Sequence, residues 1–145
     1  MEKLKFNIAI NASPEKVWKV LWGDDTYRKW TSAFAEGSYA ETDWKKGSKV
    51  LFLDGKGAGM VSKIAENRPN EYMSFEHLGE VKDGVEDISS EKVKDWAGAH
   101  ENYTLKKVNG KTELSIDMDI NDEFKEMFAK IWPVALDNVK KLSEN

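Results

Sequence analysis

Apolar and polar residues alternate from the first positions of the chain. Leu4, Phe6, Ile8 and Ile10 are interleaved with Lys5, Asn7, Ala9 and Asn11. That period of two predicts a strand with one buried face. The period then changes. Val17, Trp18, Leu21 and Trp22 recur at helical spacing behind Ser13-Pro14-Glu15. A serine caps the first free amides, a proline fits the first helical position, and an acid complements the helix dipole. Gly23 supplies the stop. A second short helix is expected from Asp25 to Trp30, with Asp24 as its cap.

The middle of the chain returns to β patterning. Strands are expected over Ser38–Thr42, Ser48–Leu53, Gly59–Glu66, Tyr72–Leu78, Ala99–Val108 and Glu113–Ile120. Turn signals separate them at Lys46-Gly47, Asp54-Gly55, Asn67 to Asn70, and Asn109-Gly110. Asn-Gly accepts the positive φ angles of a type I′ turn, which makes the last the clearest hairpin. Leu114, Ile116, Met118 and Ile120 alternate with Glu113, Ser115, Asp117 and Asp119, giving one dry and one wet face. Between Gly79 and Asp95 the residues are mostly charged, and a long solvated loop with one helical turn is expected there.

After Asn121-Asp122-Glu123 the residues Phe124, Met127, Phe128, Ile131, Ala135, Leu136, Val139 and Leu142 recur at three- and four-residue spacing. They predict one helix of about 22 residues, roughly 33 Å long, with a broad apolar face. Pro133 cannot donate to the carbonyl of Ala129, so a kink or break near Trp132 is expected, and with it a cavity mouth.

Several stretches in this order are similar to a known group. They are Ala12-Ser13-Pro14-Glu15-Lys16-Val17-Trp18, Tyr27-Arg28-Lys29-Trp30, Asp43-Trp44-Lys45-Lys46-Gly47-Ser48, Arg68-Pro69-Asn70-Glu71-Tyr72, Asn109-Gly110-Lys111-Thr112-Glu113-Leu114 and Leu136-Asp137-Asn138-Val139. Together they resemble the Bet v 1-like (START-like, SRPBCC) superfamily, and within it bacterial proteins related to the activator of Hsp90 ATPase. The resemblance covers nearly the whole chain. It implies an α+β helix-grip fold in which a curved antiparallel seven-stranded sheet wraps a long C-terminal helix, in the order β-α-α-β6-α. It implies little about activity, because function belongs to a site and not to a fold.

Composition narrows the classes. A chain of 145 residues suits one domain spanning residues 1–145. The net charge of −4, with lysines scattered among acids, argues against a nucleic-acid partner. There are no cysteines, which excludes disulfides, thiolate metal sites and a thiol nucleophile. The opening MEKLKFNIAI lacks the apolar core of a secretory leader, and no run is long enough to span a membrane. Cytoplasm is the expected compartment. Six tryptophans build a ring-rich core, or two or three of them line a ligand cavity.

Chemistry is harder to find. Gly55-Lys56-Gly57-Ala58-Gly59 lacks the Gly-Lys-Ser/Thr ending of a phosphate loop and reads as a turn entering a strand. The two histidines, His77 and His100, show no metal-ligand spacing, and no cofactor is expected. They stand to meet across adjacent strands as a proton-transfer pair or half a metal site. Ser62, Ser74 and Ser115 lack a nucleophile elbow. Glu76, Glu101 and Tyr103 are candidates for acid–base work if buried. In the superfamily the curved sheet commonly leaves a cavity against the helix. Phe52, Met60, Phe75, Tyr103, Met118, Phe128, Ile131 and Trp132 are its expected lining. The expected function is binding of an apolar small molecule or lipid. A small cyclase- or hydrolase-like enzyme and a chaperone-regulating interaction domain are the alternatives.

Overall fold

The computed structural model describes residues 1–145, and in it the first period-two stretch is β1 (Glu2–Ile10). Leu4 and Ile10 are buried while Lys3, Lys5, Asn7 and Ala9 are exposed, as alternation requires. Ser13 caps α1 (Pro14–Trp22) by accepting a hydrogen bond from the Lys16 amide at 3.2 Å. Gly23 then serves two helices. Its amide donates to the Lys19 carbonyl at 2.8 Å, ending α1, and it is the N-cap of α2 (Asp24–Thr31). The expected cap, Asp24, lies instead inside the first turn of α2, where its carboxylate accepts from the Arg28 guanidinium at 3.1 Å. A β-carbon at Gly23 would come within 2.7 Å of the Lys19 carbonyl oxygen, so this tight joint depends on glycine.

The remaining strands are β2 (Tyr39–Glu41), β3 (Lys49–Leu53), β4 (Ala58–Arg68), β5 (Tyr72–Lys82), β6 (Val85–Asp87), β7 (His100–Val108) and β8 (Lys111–Ile120). They form one antiparallel sheet in the order β1-β8-β7-β5-β4-β3-β2, with β6 added beside β5. Asn109 and Gly110 turn β7 into β8 with φ angles of 53° and 79°. The sheet has eight strands instead of the expected seven. The eighth comes from the segment read as a solvated loop. There β5 continues to Lys82, Asp83 and Gly84 turn the chain at positive φ, and β6 pairs back. Its charged residues hid an Asp-Gly hairpin signal. α3 (Glu91–Lys94) follows, capped by Ser90, and packs against β5. Val61, Val81, Val93 and Ala99 are buried apart from the main core.

Two register shifts between β4 and β5 leave Leu78 and Ala65 without a residue opposite. Such bulges bend a strand and increase its twist, which curves the sheet toward the helices. Along the inner face Leu4 stands opposite Met118, and Met118 opposite Glu101. Ile64 stands opposite Phe75, and Phe75 opposite Glu101 on its other side.

α4 (Asp122–Glu144) crosses this face and packs on β1, α1 and α2. It runs unbroken through Pro133, against the expected break. Pro133 and Ala129 both lie on the exposed side, so the carbonyl that loses its partner remains within reach of water. The two halves of α4 are seated differently. Trp132, Ala135, Leu136, Val139 and Ser143 are buried, whereas Phe128 and Ile131 are half-buried and Phe124 and Met127 are exposed.

Candidate functional site

Rings occupy the space between sheet and helices. Trp22, the last residue of α1, lies near their centre. Its ring is edge-on to Tyr103 at 4.8 Å and to Phe75 at 5.4 Å, and tilted against Trp44 at 5.3 Å. Phe52 packs edge-on to Phe75 at 5.0 Å, and Tyr27 stacks on Phe52 at 6.4 Å. Trp132 of α4 closes the other side, 6.1 Å from Tyr103 and 4.9 Å from Phe34. Edge-to-face pairs of this kind add about 0.5–1.5 kcal/mol each beyond the area they bury.

Of the expected lining, Phe75, Tyr103, Met118 and Trp132 are buried in this core, and Phe52 and Phe128 pack against it. Met60 is half-buried opposite Phe52, and Ile131 is half-buried on α4. The structure brings Phe52, Phe75, Tyr103 and Trp132 into one ring cluster. Phe128 packs on Phe34 at 6.1 Å, and Met118 faces Glu101 across the strands.

A recess of about 150 Å³ opens beside this cluster, lined by Trp22, Asp24, Tyr27, Ala40, Thr42 and Trp44. Two of its walls carry unusual features. The Trp22 indole Nε1 is buried and has no hydrogen-bond partner. By contrast, Trp30 Nε1 donates to the Leu21 carbonyl at 3.1 Å. Trp44 holds a φ of 63°, a left-handed conformation that costs a bulky side chain about 1–3 kcal/mol. Its amide donates to Thr42 Oγ1 at 3.2 Å, and its carbonyl accepts from Asn67 Nδ2 at 2.7 Å. These bonds hold the strained turn that presents the ring. The strand and helix periodicities do not single out Trp22, Tyr27 and Trp44 as a group. A signal for Trp44 did exist: a large ring inside the polar turn Asp43-Trp44-Lys45-Lys46-Gly47.

Behind the recess runs a polar chain. Ser62 on β4 lies 2.6 Å from His77 Nδ1, and His77 Nε2 lies 3.1 Å from Glu101 Oε1. The Tyr103 hydroxyl donates to Glu101 Oε2. Ser62, His77 and Tyr103 are buried, and the Glu101 side chain is 21% exposed. An ionised carboxylate only accepts, so His77 carries its proton on Nε2 and Nδ1 accepts from the Ser62 hydroxyl. A second proton on Nδ1 fits the same heavy-atom positions once that hydroxyl turns. No lysine or arginine pairs with Glu101; its ionic partner is His77. Burial pushes the Tyr103 phenol well above its ordinary range, and the Glu101 charge and hydrogen bond add to that. Burial does the same to Tyr27, again with help from Glu101.

The expected histidine pair does not form. His77 faces inward, whereas His100 stands opposite Glu76 and its amide donates to Asp119 Oδ2 at 2.9 Å. Glu76 points away from the core toward Lys63 at 3.5 Å. Adjacent residues on a strand take opposite faces, which separates the two rings. No three His, Asp or Glu side chains converge as metal ligands, and no helix is long and apolar enough to cross a membrane.

Residues 11–144 match the model of the family described as activator of Hsp90 ATPase homolog 1-like protein. The chain belongs to that family. The match takes in every sequence stretch that carried the resemblance. No curated protein sequence matches the chain. Solved structures share the family's helix-grip fold. The solution structure of the Aha1 dimer from Colwellia psychrerythraea is 22% identical with a TM-score of 0.71, covering 99% of this chain and 97% of that one. A crystal structure from Chromobacterium violaceum is 19% identical with a TM-score of 0.72, covering 100% and 99%. DynU16, a putative protein in the dynemicin biosynthetic locus, is 12% identical with a TM-score of 0.72, covering 97% of this chain and 46% of that one. At these identities the likeness establishes the fold and leaves the site to its own residues.

Proposed function

We propose that this protein binds a small apolar molecule carrying one hydrogen-bond acceptor, in the recess between α1, α2 and β2. The observation that supports this is the Trp22 indole, whose buried Nε1 has no partner in a wall of that recess. A buried donor left unmade costs about 1–3 kcal/mol, and a ligand oxygen that meets Nε1 through a small turn of the Trp22 ring removes that cost. The strained Trp44 turn supplies the facing ring. A recess of about 150 Å³ suits a single ring or a short branched chain, below the roughly 300–1,000 Å³ of drug-sized sites. Phe52, Phe75 and Tyr103 pack behind its ring walls, while Trp132, Met60, Met118, Phe128 and Ile131 join the lining only of a larger ligand such as a lipid.

The test is a titration of neutral aromatic ketones, phenols and short branched alcohols, read by tryptophan emission and by melting temperature, since a ligand of the native state stabilises it. Binding is expected to quench emission. Trp22→Phe keeps the ring and deletes the donor, and it should weaken binding about ten-fold. A broad panel with no member binding below millimolar concentrations would sink the reading for neutral ligands.

The open half of α4 favours a second reading, a contact surface for a chaperone partner. Phe124 is 41% and Met127 47% exposed there. The family description points the same way. The host's Hsp90 homologue should then change its ATPase rate on addition of this protein, and should stop responding to Phe124→Ser/Met127→Ser. An unchanged rate with the unmodified protein disposes of it.

A further inference from the structure

The recess has a charge character that its apolar walls conceal. Behind Trp22 and Tyr27 sits Glu101, a carboxylate that receives the Tyr103 hydroxyl and the His77 ring N–H but no cationic side chain of a lysine or arginine. With His77 neutral, the chain Ser62–His77–Glu101–Tyr103 holds one unbalanced negative charge inside a cluster of rings. β5 offers His77, β7 Tyr103, β8 Met118, β4 Ser62 and α2 Tyr27, with no lysine or arginine among them, and the one carboxylate in the recess wall is Asp24. Arg28 of α2 is held by Asp24 at 3.1 Å and lies over the Tyr39 ring. Lys125 of α4 is held by Glu2 at 3.1 Å. His100 is on the far face.

Rings carry negative charge on their faces, and a cation placed against them is attracted most when it is shielded from water. Trp22, Tyr27 and Trp44 stand around the recess with Trp22–Trp44 and Tyr27–Trp44 ring separations of 5.3 and 6.3 Å. A half-buried carboxylate that no lysine or arginine balances makes the same demand from behind.

We propose that the occupant of this recess is a small organic cation, an alkylated ammonium whose methyl groups lie against the Trp22, Tyr27 and Trp44 rings. Its charge is balanced by Glu101, and an oxygen a few bonds away accepts from Trp22 Nε1. This rests on the recess being a ligand site, and it replaces the neutral apolar molecule with a cation in an apolar shell.

The experiment compares choline with its uncharged isostere 3,3-dimethylbutan-1-ol, by calorimetry and tryptophan emission on the full chain. The isostere keeps the shape and the hydroxyl and lacks only the charge. Choline is expected to bind about ten-fold more tightly. Glu101→Gln should bring choline down to the isostere's affinity and leave the isostere unchanged. If that variant does not fold, as judged by circular dichroism, Trp44→Leu on an intact Glu101 should lower choline affinity more than isostere affinity. Equal binding of the two compounds to the unmodified protein overturns the cation and leaves the recess standing. A preference for choline that survives Glu101→Gln overturns the role of Glu101. Failure of choline, the isostere and the whole neutral panel overturns the recess itself.

Discussion

The sheet carries two polar chains, one on each face, built largely from the same strands. On the outer face Ser74 donates to Asn102 at 2.5 Å, and Asn102 donates to Asp117 at 2.9 Å. Each link joins residues that stand directly opposite in the register. On the inner face Ser62 stands opposite His77, but the His77–Glu101 link is diagonal, since Glu101 faces Phe75. The outer chain is what cross-strand pairing produces on a half-wet face. The inner chain interrupts a row of Ile64, Phe75, Leu105 and Ile116, all buried. Alternation accounts for the first and predicts apolar residues in place of the second. The fold needs the outer positions to be polar; it does not need the inner ones to be.

That difference breaks or holds under substitution. Removing one member of the inner chain should be costly. His77→Ala leaves the Glu101 carboxylate with one donor in a ring-lined interior, and the expected loss is about 3 kcal/mol by urea denaturation. Replacing the set with apolar side chains, as Ser62→Ala/His77→Leu/Glu101→Met, should cost less than about 1 kcal/mol or stabilise the fold. The same triple variant should lose whatever the recess binds. If the triple variant is as unstable as the single one, the inner chain serves the fold and the contrast between the faces disappears.

The two buried phenols give a second handle. Tyr27 and Tyr103 both have raised pKa values in the folded chain, from burial first and the Glu101 charge second. Below the ordinary value of 10.0 both folded and unfolded forms are protonated, and the contribution to stability is complete. Above it the unfolded chain ionises first. Stability should therefore fall as pH rises past about 10, by about 1.4 kcal/mol per pH unit for each phenol. Tyr103→Phe should halve that slope. A slope unaltered by Tyr103→Phe would mean that the hydroxyl is not held in the interior by Glu101.

The same contrast explains what the sequence makes legible. Strong periodicity marks a face as dry or wet, and β1, β8 and the C-terminal half of α4 follow it closely. The Asn109-Gly110 turn is legible because its residue types answer a backbone need. The inner chain is not, because Ser62, His77 and Glu101 sit at positions where alternation speaks only of parity, and the bulges at Leu78 and Ala65 reset that parity without a sequence mark. Glu101 and Tyr103 were recognisable as an acid beside a phenol; that His77 completes them follows only from the β5–β7 register. β6 was hidden for a related reason. Asp83-Gly84 is a hairpin signal embedded among charges that read as solvated loop. The recess joins α1, α2 and a turn far apart in the chain, so no local pattern announces it.

The outer chain should answer more weakly. Asn102→Ala removes the middle of a ladder with a buried hydroxyl, Ser74, at one end and the half-buried Asp117 at the other, and about 1 kcal/mol is expected. It should leave ligand binding intact, which His77→Ala should not. Equal damage to binding from both variants would mean that the two faces are coupled through the sheet.

The smallest effect belongs to Asp119, also on the outer face. Burial works against its charge, but the His100 amide at 2.9 Å and the Lys3 ammonium at 3.0 Å outweigh it and hold its carboxyl below the usual value of 3.8. A lowered folded value means that its contribution is present above the unfolded pKa and is lost as pH falls through the folded one. Asp119→Asn keeps an acceptor for the amide and loses the charge opposite Lys3. The variant should be less stable than the unmodified chain by under about 1 kcal/mol at neutral pH. The gap should close in acid, below the folded value, where Asp119 is itself neutral. Urea midpoints of both proteins across that range measure it. A gap that persists in acid would show that Asp119 acts by shape and hydrogen bonding, and the outer face would then owe nothing to charge at this position.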